Sequence, residues 1–541
     1  MKRPAFALVV LFFFAAAPGP AQEWVGCGTQ WIRHQADQLP FAGGKILAPR
    51  QGPEKIEVGT QMDFLRSGNG FLLQATCQYI SDHAYIFVED NYWDFNGGPV
   101  TLQDVERLGT LFDQSTPADP ERGIYQLAVE AFGQPVDFDG DPRIFIMILD
   151  IPPSIGHLAG YFDGRVSSYA DSVFQRDTIY LNQEAVRRHL KLAHGTLAHE
   201  FQHLIHWGFD QDEEIWIDEG LAGYAEELVG FAEADPAAVP EFLVRPGISL
   251  TDWRQEAYNY GATYLFTSFL AERYGASFIR QLVAESRNGI FGVEAAFDTA
   301  GIDQDFVGAW GLWVQGNYAV DIEGYEALQG RRAGGFDLPE MPIESMRFDL
   351  PSQWNVGYLA FQTGGSIEVD FAGEENGRFR VWAYGVRGAE RFVREMELDD
   401  VNQGRIQASQ VDSLALIVGR TSSTGGVFTL GAREVDIPTL VAAEAGDTPG
   451  QAHLQRAFPN PFNGQVLVPF ELLRTTAVEL SLFNSVGQHI RTLKQGHLTA
   501  GYHQVAWDGR DDQGLEVGSG AYLVVLQTAA GRQVAGLTLV K

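Results

Sequence analysis

The stretch HEFQH, His199 to His203, carries two histidines at i and i+4 and a glutamate beside the first. On a helix that spacing puts both imidazoles on one face, one turn apart. Two such rings can converge on one Zn2+, with nitrogen–metal distances of about 2.0–2.1 Å. Glu200 can then take a proton from a water whose pKa the ion lowers toward about 7, so a carboxylate suffices as base. Alone, HExxH also fits a polar helix face with two solvated histidines. Here the helix is otherwise apolar (Leu197, Phe201, Leu204, Ile205), and a third donor follows. Glu219, in WIDEGLAGYAEE, lies 16 residues after His203 on the next predicted helix. Two antiparallel helices can bring it to the ion and leave the fourth tetrahedral position for water, as a catalytic site requires. The competing explanation is a helix N-terminal carboxylate favoured by the dipole; the joint pattern supports the ligand.

Other layouts fit less well. HExxHxxGxxH would need glycine at 206 and histidine at 209, where the chain has His206 and Phe209. His206 lies on the metal face at i+7 from His199, and a surface histidine is the expectation for it. A second, hard-cation site is conceivable at DFDGDP, where Asp137, Asp139 and Asp141 surround Gly140 and could bind Ca2+. No glutamate completes a 12-residue EF-hand loop there, and an Asp-Gly turn entering a strand at Arg143 is the simpler reading. Cys27 and Cys77 are the two cysteines. Export would permit a disulfide between them, but two free buried thiols fit equally well.

These residues need a scaffold, and the chain has 541 residues from which to build one. Lys2 and Arg3, the 13-residue apolar run Ala5 to Ala17, and small Gly19 and Ala21 before Gln22 read as a signal peptide over 1–21. Residues 22–76 form a leading segment. A catalytic domain is expected over 77–340. HAYIFVED (His83 to Asp90), RIFIMILDI (Arg143 to Ile151) and DTIYLN (Asp177 to Asn182) are strand candidates. TLQDVERLGTLFDQ has helical spacing with Thr101 as cap. Helices are predicted over Gly195–Trp207, Glu214–Phe231 and Glu256–Gly275, the last stopping at its glycine. The period then changes to two, predicting a β-sandwich at 345–436, a patternless linker at 437–455 and a second β module at 456–541. The fold class expected is multidomain α+β: a mixed sheet lobe and a helical lobe, followed by two β-sandwich modules.

The formal net charge is −32. Such a surface repels nucleic acid and anionic membranes. No uninterrupted apolar run reaches 18 residues, so no transmembrane helix is expected.

HExxH followed by a separate helix bearing the glutamate resembles the gluzincin pattern of thermolysin-like and aminopeptidase-type enzymes. WIDEGLAGY resembles the W-x-x-E-G-x-A-x-Y segment of the aminopeptidase branch, and Cys77 to Leu328 is most similar to the hyicolysin-type secreted metallopeptidases. The resemblance implies His199, His203 and Glu219 as zinc ligands and Glu200 as base. YNYGA (Tyr258 to Ala262) resembles a Y-x-x-G segment whose first tyrosine stabilises the oxyanion, which points to Tyr258, with Tyr260 and Tyr264 as competitors. The chain departs from thermolysin-like enzymes at Gly223, where an aspartate that orients a histidine would stand. No G-x-M-E-N loop precedes His199; AGYFDG (Ala159 to Gly164) is the nearest glycine-rich stretch, so an endopeptidase is expected rather than an aminopeptidase.

Near the C-terminus, PNPFN, W-D-G and G-Y landmarks resemble the Ig-like domain of flagellar hook-capping proteins and the sorting domains of type IX secretion. They imply export or surface attachment through secretion machinery or a cell-surface partner. The resulting expectation is a secreted or cell-surface zinc endopeptidase acting on proteins or peptides. The rival is a surface adhesin with a structural zinc site. An intact Glu200 beside an open coordination position argues against the rival, because a structural site needs no base.

Overall fold

The computed structural model describes residues 9–10, 25–30, 55–435 and 452–540, apart from stretches at 68–70, 95–97, 153–157, 168–173, 320–324, 329 and several positions between 455 and 530. Nearly all of the expected signal peptide, and all of the expected linker except 452–454, lie outside the described residues. The chain divides into two compact units, residues 1–436 and 437–541. The architecture is multidomain α+β.

The first unit is built on a seven-stranded mixed sheet. Its strands are β1 (Val25–Cys27), β2 (Gln61–Arg66), β3 (Phe71–Ile80), β4 (Ala84–Glu89), β5 (Ile144–Leu149), β6 (Leu158–Phe162) and β7 (Thr178–Asn182), in the order β1-β6-β7-β5-β4-β3-β2. The centre is parallel: β4 pairs with β5 and β5 with β7. IFIMIL is an unbroken apolar run and AYIFVE is apolar up to Glu89, and every residue in both is buried. Central strands covered on both faces require that pattern. One face, with Ile86, Val88, Ile146 and Ile148, joins the helical core; the other packs Phe64, Phe87, Phe145 and Tyr180. β3 crosses the boundary expected at residues 76 and 77, and β1 adds to the sheet from far upstream. The leading segment therefore contributes to the seven-stranded sheet.

Besides one short turn of helix at Gly164–Ser167, the helices are α1 (Leu102–Asp113), α2 (Ile124–Phe132), α3 (Gln183–Arg188), α4 (Leu190–Trp207), α5 (Ile215–Leu228), α6 (Ala238–Val244), α7 (Ala257–Tyr274), α8 (Ala276–Ala284), α9 (Gly289–Ala300) and α10 (Phe306–Tyr318). Thr101 caps α1 in a reciprocal box with Asp104, satisfying two otherwise orphaned N–H groups. α4 is buried along most of its length and packs on β6, β7 and α5. α5 approaches α7 closely because Gly220 lacks a side chain: a Cβ there would stand 2.4 Å from Thr267 Oγ1 and 2.9 Å from the Thr263 carbonyl oxygen.

A β-sandwich follows. One sheet orders Ile343–Asp349, Val427–Glu434, Ile367–Gly373 and Gln403–Ala408; the other orders Glu390–Glu395, Phe379–Arg387, Ser413–Arg420, Val356–Phe361 and Phe336–Asp337. It has its own interior around Phe348, Phe371, Leu416 and Phe428. Its second sheet also buries its outer face against α10. Tyr358 stacks on Tyr318 at 5.2 Å, Trp354 meets Trp310 edge-on at 5.4 Å, and the Tyr358 hydroxyl donates to the Val314 carbonyl at 2.9 Å. This sandwich thus shares a core with the helical region.

The second unit carries a sheet of Ala452–Leu454, Val466–Leu472 and Gly501–Trp507, and another of His489–Leu498, Thr476–Asn484, Gly520–Thr528 and Gly531–Leu539. Val478, Leu480, Leu482, Tyr522, Val524 and Leu526, the alternating residues expected inside, are all buried in its core with Trp507. Among the described residues no helix is long and apolar enough to cross a membrane.

Candidate metal centre

α4 presents His199, His203 and His206 along one stripe, and α5 presents Asp218, Glu219 and Glu226 toward it. His199 Nε2 lies 3.2 Å from Glu219 Oε2, and His203 Nε2 lies 3.7 Å from Glu219 Oε1. The far ring nitrogens face further acids. His199 Nδ1 is 2.8 Å from Glu226 Oε1, and His203 Nδ1 is 3.2 Å from Asp218 Oδ1. A proton on His199 Nδ1, donated to Glu226, leaves its Nε2 lone pair directed at the common centre, whereas His203 Nδ1 makes only an ion-pair approach to Asp218, whose Oδ1 takes the hydrogen bond of His206. Metal-binding histidines are oriented in the manner of His199.

A fourth donor comes from the sheet edge. Cys27 Sγ is 3.6 Å from His203 Nε2 and 3.8 Å from Glu219 Oε1. The donor atoms of Cys27, His199, His203 and Glu219 all lie within 4.8 Å of one another, and all four residues are buried. Two imidazoles, a carboxylate and a sulfur form a donor set suited to Zn2+. Electrostatics agree. Burial alone would lower the histidine pKa values, yet Cys27 and the carboxylates beside His199, and Asp218 and Glu219 beside His203, raise both well above the ordinary range. A field that holds protons on two buried imidazoles equally attracts a divalent cation.

Glu200 is fully buried beside this cluster. Oε2 accepts the Thr29 hydroxyl at 2.7 Å, whereas Oε1 has no hydrogen-bond partner. Burial raises its pKa, with the two histidines opposing. A small cleft of about 40 Å3 borders the group, lined by Cys27, His199, Glu219, Glu226, Tyr260 and Tyr264, among others.

Of the residues singled out in the sequence, His199, Glu200, His203 and Glu219 come together. Tyr258 does not join them: it packs under the Arg245 guanidinium, 5.7 Å from its ring centre, outside the residues that line the cleft. Tyr260 takes the position at the cleft wall, because two residues along a helix rotate a side chain by about 200°. Burial, then Glu219, Cys27 and Glu200, push the Tyr260 phenol well above its usual range, which keeps it an O–H donor. Tyr264 also lines the cleft, but Glu227 acts on its phenol. His206 is 1% exposed, with Nδ1 2.9 Å from Asp218 Oδ1, so the expected surface histidine is buried.

Sequence reasoning left Glu226, Asp218, Cys27 and Thr29 without a role. Glu226 had a usable signal, since it follows Glu219 by seven residues, two turns along the same face. Cys27 had none, being 176 residues from His203. Both cysteines are free thiols.

The acidic turn differs from expectation in one member. Asp137 Oδ1 accepts the Gly140 N–H at 2.6 Å and Asp139 Oδ1 the Asp141 N–H at 3.0 Å, as in an Asx-type turn. Asp141 is occupied by the Tyr85 hydroxyl and the Arg143 N–H. The carboxylates close enough to hold a cation are Asp137, Asp139 and Asp177, the last brought in at the start of β7.

Residues 462–532 match the model of the FlgD Ig-like domain family. Two solved structures are also similar, at TM-scores too low to inform the fold as a whole. PorZ, a surface component of the type IX secretion system of Porphyromonas gingivalis, is 17% identical over 21% of this chain and 14% of its own, with TM-score 0.13. The pre-peptidase C-terminal domain of Bacillus anthracis collagenase is 9% identical over 19% of this chain and 98% of its own, with TM-score 0.16. The chain is distantly homologous to the neutral metalloprotease ShpI of Staphylococcus hyicus, 23% identical over 337 residues, 56% of this chain and 71% of that protein.

Proposed function

We propose that this chain is an exported zinc-dependent endopeptidase whose metal is held by His199, His203 and Glu219. When bound, zinc supplies Lewis acidity, making a water easier to deprotonate and a carbonyl easier to attack. Glu200 takes the proton from the attacking water and delivers it to the leaving amide nitrogen. Tyr260 donates its phenol O–H to the oxygen that becomes negative at the tetrahedral stage. Glu226 and Asp218 fix the ring orientation of the two histidines. The second unit serves attachment or sorting toward the cell envelope, a reading that the FlgD Ig-like match supports.

The observation that carries the proposal is the buried carboxylate of Glu200 beside an N,N,O donor set, two members of which, His199 and Glu219, line a cleft. Glu200→Gln should retain one equivalent of zinc and lose hydrolysis of an unstructured protein substrate by about 10^2–10^4-fold, the range for a general acid–base group. Undiminished hydrolysis by that variant would sink the assignment.

A further inference from the structure

The outermost strand of the catalytic sheet is the N-terminal β1, laid parallel on β6, with Val25 opposite Leu158 and Cys27 opposite Gly160. An incoming peptide would add to a free sheet edge in the same way, but here β1 occupies the edge that borders the cleft. The fit is close. The Gly28 N–H donates to the Gly160 carbonyl at 2.8 Å, and a Cβ on Gly28 would stand 2.6 Å from Leu158 Cδ1.

Each side chain that follows engages a catalytic element. Cys27 Sγ takes its place among His199, His203 and Glu219. The Thr29 hydroxyl donates to Glu200 Oε2 at 2.7 Å while accepting the Phe162 N–H at 2.9 Å. Gln30 Nε2 donates to Asp218 Oδ2 at 3.3 Å. Cys27, Thr29 and Gln30 are all at most 3% exposed. A thiol buried only for packing would not explain why its neighbours engage the general base and the acid behind His203.

We propose that Cys27 is a fourth ligand of the metal and that residues 25–30 act as an intramolecular plug, keeping the enzyme latent until the segment is displaced. The inference rests on the zinc assignment above. Ligation as thiolate releases the Cys27 proton to solvent. It also fills the coordination position that a water would need, while Thr29 occupies one oxygen of the base. A tethered segment acts at an effective concentration on the order of 1 mM. Even a segment whose Kd in trans would be about 0.1 mM therefore suppresses activity about tenfold.

Cobalt substitution of the full chain separates this inference from the one beneath it. Wild-type protein loaded with one equivalent of Co2+ should show a near-ultraviolet thiolate-to-cobalt charge-transfer band. Cys77→Ser should keep that band. Cys27→Ala and Cys27→Ser should lose it while still binding one equivalent of cobalt, and their zinc forms should cleave an unstructured peptide about tenfold faster than wild type or more. Cobalt bound by wild type without the band, or a band that survives in Cys27→Ser, refutes the plug and leaves the metal site standing. Failure of wild type and both Cys27 variants to bind cobalt refutes both assignments.

Discussion

Glu226 accounts for the orientation of His199, and its removal can be given a size. Its Oε1 lies 2.8 Å from His199 Nδ1, with side-chain exposures of 14% for Glu226 and 6% for His199. A hydrogen bond to a charged group contributes about 1.5–3 kcal/mol. At about 1.4 kcal/mol per decade, complete loss corresponds to roughly 10–100-fold in metal affinity. Glu226→Ala should show that full effect. Glu226→Gln keeps an amide oxygen that can accept from Nδ1–H but loses the charge, and neutral bonds are about half as strong as charged ones. Its expected loss is therefore about 3–10-fold. Glu227→Gln is the control, because Glu227 accepts from Ser268 Oγ at 2.6 Å and takes no part in the cluster. Competition for zinc against a chromophoric chelator at fixed pH gives the affinities directly. Zinc affinity in Glu226→Ala within about twofold of wild type would show that this carboxylate does not support the ligand, and the reasoning from orientation would fail.

Three further outcomes are expected. Tyr260→Phe should keep its metal and lose about 10^2–10^3-fold in kcat, the effect of removing an oxyanion donor, whereas Tyr258→Phe should stay within about twofold; the reverse ranking would return the role to Tyr258. Burial, with Asp139, Asp137 and Asp141 adding to it against the opposing Phe138 N–H, pushes the Asp177 carboxyl up to about 8. A raised pKa means that the folded state holds a proton the unfolded chain has released, so this stabilisation is complete below about pH 4 and lost as pH rises through about 8, on the order of 5 kcal/mol at most. Denaturation of wild type and Asp177→Asn across that window should show the wild type losing stability relative to the variant, with Ca2+ reducing the difference, and parallel profiles would exclude it. A chain ending at Asp436 should retain zinc and full activity on soluble peptides, because the two units are compact separately; loss of zinc binding would place the tail in the enzyme's core.

The parts of this protein legible in its sequence are those governed by local period. AYIFVE and IFIMIL announce buried parallel strands by composition alone, and the apolar stripe of α4 fixes which face of HEFQH points inward. Strands with mixed exposure, such as Ile343–Asp349, carry no clean alternation and escape detection. Tyr258 and Tyr260 are equivalent as sequence, since only the packing of α7 against its neighbours sets its phase. His206 reads as a polar terminal residue until Asp218 is seen opposite it. Cys27 and Thr29 lie beyond any local rule, because their partners are on other elements and 171 to 192 residues away.

The candidate metal centre is a polar seam between two helices set in an apolar core. His199 and His203 of α4 each meet α5 twice: Nε2 faces the shared Glu219, and Nδ1 faces a further acid, Glu226 for His199 and Asp218 for His203. Asp218 Oδ1 is itself shared with His206 Nδ1, so α5 is matched to three histidines spread over two turns of α4. Beneath this polar seam Leu197, Phe201, Leu204 and Leu221 are all fully buried. Burial of each such side chain contributes about 1.5–3 kcal/mol to the packing of the helical core around the seam. In a purely structural zinc site, by contrast, metal binding supplies the folding energy of a region too small to fold alone. A seam set in such a core leaves the affinity of the ion to be set by orientation and charge, and it leaves one coordination position to be contested between a substrate-side water and the Cys27 thiol.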